Sequence, residues 1–285
     1  MERLETVDAM AGWRRAAVGS VGLVPTMGYL HEGHLSLVRR ARDENQLVVV
    51  SIFVNPTQFG PNEDFTTYPR DMKRDLELLE RESVDAVFLP SVDRLYPGAY
   101  ATYVTVERIA ARWEGASRPG HFRGVATIVL KLFNIVRPDR AYFGQKDYQQ
   151  LQVVRRMVSD LDVPIAIVAC PIIREPDGLA MSSRNAYLSI GEREAATALF
   201  RALNAGEELY RAGERSACAV QRAIEGVLSK EPQAKTDYVA VADPETLDSL
   251  EEIGGRGAVC CLAVRIAKTR LIDNLLLPPT PSAKI

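Results

Sequence analysis

The stretch Leu47-Val-Val-Val-Ser-Ile-Phe-Val54, an apolar run interrupted by Ser51, constrains the fold of this chain more than any other feature. It is rich in β-branched residues and apolar on both faces, as expected of a strand buried within a parallel sheet. A short strand candidate at Leu23-Val-Pro and a helical spacing of apolar residues after His34 precede it. Strand, helix and strand within so short a span predict a βαβ unit.

The same alternation continues along the first part of the chain. The periodicity predicts helices over 71–82, 125–136 and 148–159, and strands over 85–89, 140–143 and 165–170. Alternating strands and helices of this kind predict a Rossmann-like, doubly wound parallel sheet of the α/β class. In such a sheet, ligands bind at the carboxyl ends of the strands.

The pattern changes near Pro171. Two helices are predicted, over 192–213 and 217–230, followed by strands over 236–242, 258–264 and 269–272. Helices followed by strands are typical of an α+β arrangement. We therefore predict two domains, a larger one over 1–172 and a smaller C-terminal α+β domain over 173–285.

Composition narrows the class of partner and the compartment. The formal net charge is −2, which provides no overall attraction to nucleic acid or to an acidic membrane surface, so we expect neither as a partner. The four cysteines form no C-x-x-C pair, which favours a reducing compartment. The start of the chain lacks the apolar run of a secretory signal, and no run approaches the ~20 residues of a membrane span. We expect a cytoplasmic protein.

A loop with two histidines lies between the first predicted strand and helix, in Pro25-Thr-Met-Gly-Tyr-Leu-His31-Glu-Gly-His34. A helix start presents unpaired backbone N–H groups and the positive end of the helix dipole, which together suit a phosphate. Gly28 and Gly33 allow close backbone approach, and the two histidines can face one side of the helix. The loop favours a nucleotide triphosphate site; a helix-cap turn with surface histidines and a metal-binding pair are the alternatives.

Two further segments directly follow predicted strands. Asn55 and Gln58 offer uncharged donors and acceptors suited to the hydroxyl and carboxylate groups of a small substrate, although an ordinary Asn-Pro turn is the alternative. In the second segment, Gly144 permits a tight turn and Lys146 can supply a point positive charge to a phosphoryl group. Asp147 could hold a magnesium ion directly or through water, or cap the next helix.

Two more segments carry arginine. In Met181-Ser-Ser-Arg184-Asn185, hydroxyl groups beside a guanidinium suit a pyrophosphate, and a helix N-cap ahead of Glu192 is the alternative. Arg118-Pro-Gly-His121-Phe-Arg123-Gly124 could add phosphate contacts or form a solvated loop before a helix. No P-loop sequence and no G-x-S-x-G elbow occur, so neither of those enzyme classes is indicated.

Taken together, these segments resemble the pantoate–β-alanine ligase family of the HxGH nucleotidyltransferase superfamily. The resemblance runs from about Leu23 to about Asn274 and is carried by VPTMGYLHEGH, FVNPTQF, RPGHFRGV, GQKDYQQ and MSSRNAYL. It implies an acid–amine ligase that condenses (R)-pantoate with β-alanine through a pantoyl adenylate, releasing AMP and pyrophosphate. It also implies a nucleotide- and pantoate-binding domain over 1–172, a lid domain over 173–285, and a homodimer.

The resemblance also implies roles for individual residues. Gln58 and Gln150 would hold pantoate, and Lys146 would stabilise the charge on the α-phosphate, with Mg²⁺ bridging the phosphates of ATP. The family pattern makes His34 a proton donor, whereas the residues themselves favour charge stabilisation by both His31 and His34. The ATP site implied by the motifs comprises Met27, Gly28, Tyr29, Leu30, His31, Glu32, Gly33, His34, Gly144, Gln145, Lys146, Asp147, Ile173, Met181, Ser182, Ser183 and the phosphate clamp Arg184.

Two other functions compete with this interpretation. Another HxGH enzyme would transfer a nucleotide to a phosphorylated acceptor, but such an acceptor would require more basic partners than Gln58 and Gln150. A non-catalytic nucleotide-binding module is the alternative from another class. Lys146 together with both histidines argues against it, because a sensor needs affinity but not charge aimed at a leaving group.

Overall fold

The structure, a computed structural model, describes residues 1–61 and 63–279. The chain forms two compact units. The first consists of Met1–Gln145 with Gln149–Pro171, and the second of Lys146–Tyr148 with the chain from Ile172 onward. The short segment 146–148 is therefore assigned, by its contacts, to the second unit rather than to the first.

The first unit is built on a parallel sheet with the strand order β1-β4-β3-β2-β5-β6. Its strands are β1 (Glu2–Leu4), β2 (Val21–Thr26), β3 (Leu47–Ile52), β4 (Ala86–Phe88), β5 (Arg140–Gly144) and β6 (Ala166–Cys170). The doubly wound parallel sheet predicted from the sequence is confirmed. β1 was not predicted, because three residues with two charges carry no β-strand signal of their own.

The centre of the sheet follows from its apolar strands. β2 pairs with β3 from Val21↔Leu47 to Thr26↔Ile52, and the side chains of Val48 to Val50 are fully buried. From β2 the chain winds outward through β3 and β4 on one side, then returns to place β5 on the other side of β2. The winding direction therefore reverses between β2 and β5, and a ligand crevice is expected outside the carboxyl ends of these strands.

The helices of this part of the chain connect the strands. They are α1 (Val7–Ala16), α2 (Glu32–Glu44), α3 (Met72–Arg81), α4 (Val92–Leu95), α5 (Trp113–Ser117), α6 (His121–Val136) and α7 (Tyr148–Asp160). α6 begins four residues before the predicted Val125, after Gly120 in a left-handed conformation (φ 85°). The segment expected to lie ahead of this helix is therefore partly inside it.

The second unit contains an antiparallel sheet in the order β7-β8-β9, with helices packed on it. Its elements are α8 (Ile190–Ala196), α9 (Ala198–Arg211), α10 (Ala217–Leu228), β7 (Ala234–Ala242), β8 (Ala258–Ile266) and β9 (Thr269–Leu277). The predicted α+β arrangement is confirmed. The single helix predicted over 192–213 is divided at Thr197, whose N–H and Oγ1 both donate to the carbonyl of Glu194, at 3.2 and 2.7 Å.

Within the described residues, none of the helices combines the length and the apolarity that crossing a bilayer requires.

Candidate active site

The loop after β2 turns sharply because two consecutive residues adopt left-handed backbone conformations, Gly28 (φ 82°) and Tyr29 (φ 52°). A Cβ atom on Gly28 would lie 3.0 Å from Oδ2 of Asp75 and 3.0 Å from Cγ2 of Ile52. Glycine is therefore favoured here both by its φ angle and by the lack of space.

A buried carboxylate from α3 determines the shape of this loop. The Asp75 oxygens accept from the backbone N–H groups of Tyr29 and Leu30, each at 2.7 Å. Burial raises the pKa of Asp75, while these two hydrogen bonds act in the opposite direction. The Gly28 N–H also donates within the protein, to Oγ1 of Thr26 at 3.2 Å. Protein acceptors therefore bind the backbone N–H groups of Gly28, Tyr29 and Leu30, three residues of the ATP site that the resemblance implies. Contact of these residues with ATP stays a prediction.

The two histidines lie together at the start of α2, which begins at Glu32. Their ring centroids are 4.1 Å apart, so the spacing of three residues does place them on one side, as predicted. The His31 N–H donates to Nδ1 of His34 at 3.4 Å, and the His34 N–H donates to the His31 carbonyl at 2.8 Å. Because Nδ1 of His34 accepts, a neutral His34 carries its proton on Nε2.

Asn55 and Gln58 lie on a 3₁₀ turn after β3. The Asn55 side chain is almost fully buried. Its Nδ2 donates to Oε1 of Gln58 and to the Gly124 carbonyl, both at 3.1 Å. Its Oδ1 accepts from Oη of Tyr96 at 2.9 Å. Gln58 in turn donates to Sδ of Met27, at 3.0 Å. Asn55 therefore orients Gln58, and Gln58 contacts the loop that carries the histidines. Direct contact of Asn55 with substrate stays a prediction.

His121 and Arg118 support the same turn. Nδ1 of His121 lies 2.9 Å from the Gln58 carbonyl, and Nε2 lies 3.1 Å from a guanidinium nitrogen of Arg118. Arg118 also forms an ion pair with Glu63, at 2.6 Å. Burial, helped by the positive charge of Arg118, lowers the pKa of His121 to about 4. His121 is thus neutral at pH 7 and donates from Nδ1 to Gln58. These two residues hold the Gln58 turn. The solvated-loop alternative is wrong for His121, which is buried on α6, and a phosphate contact of this segment stays a prediction.

In the second unit, a hairpin brings two predicted ATP-binding segments together. The Met181 N–H donates to the Ile173 carbonyl at 3.0 Å, and Arg174 pairs with Ala180 across a left-handed turn at Gly178. The sequence separates Ile173 from Met181 by seven residues, yet they are antiparallel neighbours in space. Contact of both segments with one ligand stays a prediction.

Ser182 and Ser183 follow this hairpin. Oγ of Ser182 accepts from the Arg184 N–H at 3.3 Å, which caps a 3₁₀ helix over Ser183–Tyr187. Ser182 is therefore an N-cap, as the alternative predicted, but it caps this 3₁₀ helix and not the helix near Glu192. The helix expected near Glu192 is α8, and it has its own cap, Ser189.

The segment after β5 differs in one respect from expectation. Gly144 is an extended residue that pairs with Cys170, without the left-handed φ that a tight glycine turn would need, and the space beside it is open. The tight-turn explanation for Gly144 is therefore wrong. The next residues, Gln145–Asp147, form a 3₁₀ turn that leads into α7. Gln150 is partly buried on α7, whereas the neighbouring Gln149 is buried and bonds to backbone groups.

Sequence reasoning did not identify the residues that hold Lys146. Nδ2 of Asn274, on β9, donates to the Lys146 carbonyl at 2.8 Å. Oη of Tyr148 donates to the Pro244 carbonyl at 2.7 Å. The available signal for Asn274 was an adjacent Asp-Asn pair inside an otherwise mostly apolar strand. Across residues 1–61 and 63–279, no group of three or more His, Cys, Asp or Glu side chains is arranged to hold a metal ion.

A doubly wound sheet with a strand–HxGH–helix loop at its switch point defines the class, an α/β protein of the HxGH nucleotidyltransferase type. A family model described as Pantoate-beta-alanine ligase matches residues 2–276. The chain therefore belongs to the pantoate-beta-alanine ligase family, and it is an acid–amine ligase.

Individual relatives agree with this assignment over their whole length. The pantothenate synthetase of Roseiflexus castenholzii is 60% identical, over 97% of this chain and 99% of that protein. The pantothenate synthetase structure from Thermus thermophilus superposes with a TM-score of 0.93 at 52% identity, covering 98% of this chain and 100% of that one. The Francisella tularensis pantoate-beta-alanine ligase, complexed with beta-gamma ATP and beta-alanine, has a TM-score of 0.78 at 36% identity, with 97% of both chains covered.

The close contact of α6 with the Gln58 turn leads to a first prediction. A Cβ atom on Gly124 would lie 2.3 Å from the Thr57 carbonyl oxygen and 2.6 Å from the Gln58 nitrogen, both backbone atoms. We expect Gly124→Ala to displace the turn and to lower the free energy of unfolding by about 1–3 kcal/mol, measured by urea denaturation. Gly226→Ala, at an exposed helical position with open space, is the control and should be neutral or stabilising. Equal stability of both variants would contradict this packing.

A second prediction concerns Asp75. Asp75→Asn retains the volume but places an N–H₂ group against one of the two backbone N–H donors. We expect a loss of about 1–3 kcal/mol in the free energy of unfolding and faster hydrogen exchange at the Tyr29 and Leu30 amides, measured by NMR. Asp71→Asn is the matched control, because Asp71 caps the same helix through the Arg74 N–H and asparagine caps equally well. Unchanged hydrogen exchange at the Tyr29 and Leu30 amides in Asp75→Asn would contradict the role of Asp75 in holding this loop.

Proposed function

We propose that this chain activates pantoate with ATP as pantoyl adenylate and then transfers the pantoyl group to the amine of β-alanine. The observation that carries the proposal is the paired-histidine loop at the carboxyl end of β2, beside β5, where the sheet reverses its winding. The Francisella tularensis relative, complexed with beta-gamma ATP and beta-alanine, supports the two ligands.

In the first step, a carboxylate oxygen of pantoate forms a bond to the α-phosphorus of ATP. The bond from that phosphorus to the bridging oxygen breaks, and pyrophosphate leaves with the electron pair. The reaction needs no protein nucleophile; it needs in-line positioning and positive charge where negative charge develops. The Nε2–H of His34 and the ammonium of Lys146 provide a donor and a charge of this kind, with His31 packed against His34.

In the second step, the β-alanine amine attacks the acyl carbon. The C–N bond forms, the bond to the AMP oxygen breaks, and the nitrogen loses a proton to solvent or to a leaving phosphate oxygen. We assign both histidines to charge stabilisation, because His34 donates equally well to a phosphate oxygen in either step. Proton donation by His34 is the alternative assignment.

The remaining residues are assigned by position. Gln58 and Gln150 bind pantoate, and Asn55 supports Gln58 through the hydrogen bond described above. Arg184 clamps the phosphates. We retain 1–172 as the nucleotide- and pantoate-binding domain and 173–285 as the lid domain. The further ATP-binding residues are Met27, Gly28, Tyr29, Leu30, Glu32, Gly33, Gly144, Gln145, Asp147, Ile173, Met181, Ser182 and Ser183.

We also propose Mg²⁺ with ATP, a homodimer and a cytoplasmic location. Magnesium is commonly held by one or two carboxylates together with substrate phosphates, and the Asp147 carboxylate suits that role directly or through water. The ion would neutralise phosphate charge. Cys170, Cys218, Cys260 and Cys261 are thiols rather than disulfides, which fits a reducing compartment.

The proposed mechanism predicts ATP–pyrophosphate exchange with pantoate alone. Labelled pyrophosphate should enter ATP without β-alanine, because the adenylate forms reversibly, and AMP should appear once β-alanine is added. Omission of pantoate is the control and should abolish exchange. A nucleotide retained in the product would instead indicate transfer to a phosphorylated acceptor, and ATP binding without turnover of any acid would indicate a binding module. Absence of exchange at every pantoate concentration would exclude the adenylate.

A separate prediction tests Lys146. Lys146→Ala removes the ammonium but keeps the backbone carbonyl that Asn274 binds. We expect kcat for exchange to fall by roughly 100-fold or more, with a much smaller change in the KM for pantoate, because the charge acts on the transition state. Lys230→Ala, at an exposed position, is the matched control and should leave both parameters unchanged. Near-normal kcat in Lys146→Ala would remove the role that we assign.

A further inference from the structure

The edge strand β9 carries two adjacent buried polar residues, Asp273 and Asn274, in a sequence that is otherwise mostly apolar. In the three-stranded sheet, β9 pairs with β8, at Asp273↔Leu262 and Asn274↔Cys261. Burying an acidic and an amide side chain side by side is unfavourable unless both are hydrogen-bonded. What they bind therefore indicates why polar residues occupy these positions.

Asp273 holds the hairpin that leads to Met181–Arg184. Its two carboxylate oxygens accept from the Arg174 guanidinium at 2.7 and 3.0 Å, a bidentate pair. Arg174 is further fixed by the Phe200 ring, 4.3 Å from its guanidinium carbon, and it donates to the Gly178 carbonyl at 3.1 Å. The base of the hairpin is thus attached to β9 through an ion pair whose carboxylate is buried and whose guanidinium is partly buried.

Asn274 holds the segment of Lys146. Its Nδ2 donates to the Lys146 carbonyl at 2.8 Å, and its own backbone N–H donates to Oδ1 of Asp273 at 2.8 Å. Two neighbouring residues of one strand therefore hold two segments, one carrying Lys146 and the other leading to Arg184. Both segments are separated by long stretches of sequence from β9.

We infer that Asn274 is a positioning residue for the reaction: it fixes the backbone of Lys146, so that the ammonium is presented in a reproducible place. The inference rests on the proposed role of Lys146. The physical reason is the length of the lysine side chain, whose rotatable bonds already carry large conformational entropy. Freedom of the backbone would add to the displacement of the charge, and a displacement near 1 Å can lower a rate about 100-fold.

The test compares Asn274→Ala and the isosteric Asn274→Asp with the wild-type enzyme by ATP–pyrophosphate exchange. We expect both variants to lower kcat by about 10- to 100-fold while the KM for pantoate changes by less than about 3-fold. Asn45→Ala is the matched control: Asn45 is also buried and its Nδ2 donates to a backbone carbonyl, that of Ala41, at 2.8 Å. It should lower the unfolding temperature and leave kcat unchanged.

A double-mutant cycle distinguishes positioning from a merely structural role. If Asn274 acts through the Lys146 ammonium, adding Asn274→Ala to Lys146→Ala should change kcat by less than about 2-fold. An undiminished loss of kcat in that background, or a lowered unfolding temperature with unchanged kcat in the single variants, would overturn the inference. Absence of exchange in the wild-type enzyme would instead overturn the proposed function. If Asn274→Ala does not fold, the same cycle is performed with Asn274→Asp.

Discussion

Parallel pairing of β2 with β5 is the constraint on which the candidate site depends. β3 and β4 lie on one side of β2, so the chain must return across the sheet to place β5 on the other side. In doubly wound sheets, a reversal of this kind places the ligand crevice outside the carboxyl ends of the two central strands. The histidine loop continues directly from β2, and Gln145 continues directly from β5. Strand order alone therefore predicts where the candidate site lies, before any side chain is considered.

Buried polar side chains from remote elements stabilise each candidate functional segment. Asp75 holds the loop backbone at Tyr29 and Leu30, His121 holds the Gln58 turn, and Asn274 holds Lys146. Each of these groups loses hydration on folding, and its hydrogen bonds offset that loss only if the geometry is good. These hydrogen bonds therefore stabilise only the loop conformation in which they form, and every other conformation leaves a buried polar group without its hydrogen bond.

The chemistry of acid activation explains why so much of the structure is devoted to positioning. Adenylate formation has no protein nucleophile to activate, so rate acceleration comes from alignment of the reacting groups and from preorganised charge. In the proposed mechanism, imidazole N–H groups, an ammonium and a guanidinium on short turns after strands or a hairpin would provide that charge. Rigid turns suit this role, because any relaxation of the protein at the moment of reaction would reduce the electrostatic gain.

The sequence by itself determined the parallel sheet, the α+β unit and the segments that carry His34, Lys146 and Arg184. These are local properties, since hydrophobic periodicity and turn residues act over a few neighbours. Only the tertiary structure decided that the N–H groups of Tyr29 and Leu30 serve a carboxylate of α3, that His121 is a support, and that Asn274 binds Lys146. Those outcomes depend on which distant groups meet after folding, and no local pattern encodes the distance between them.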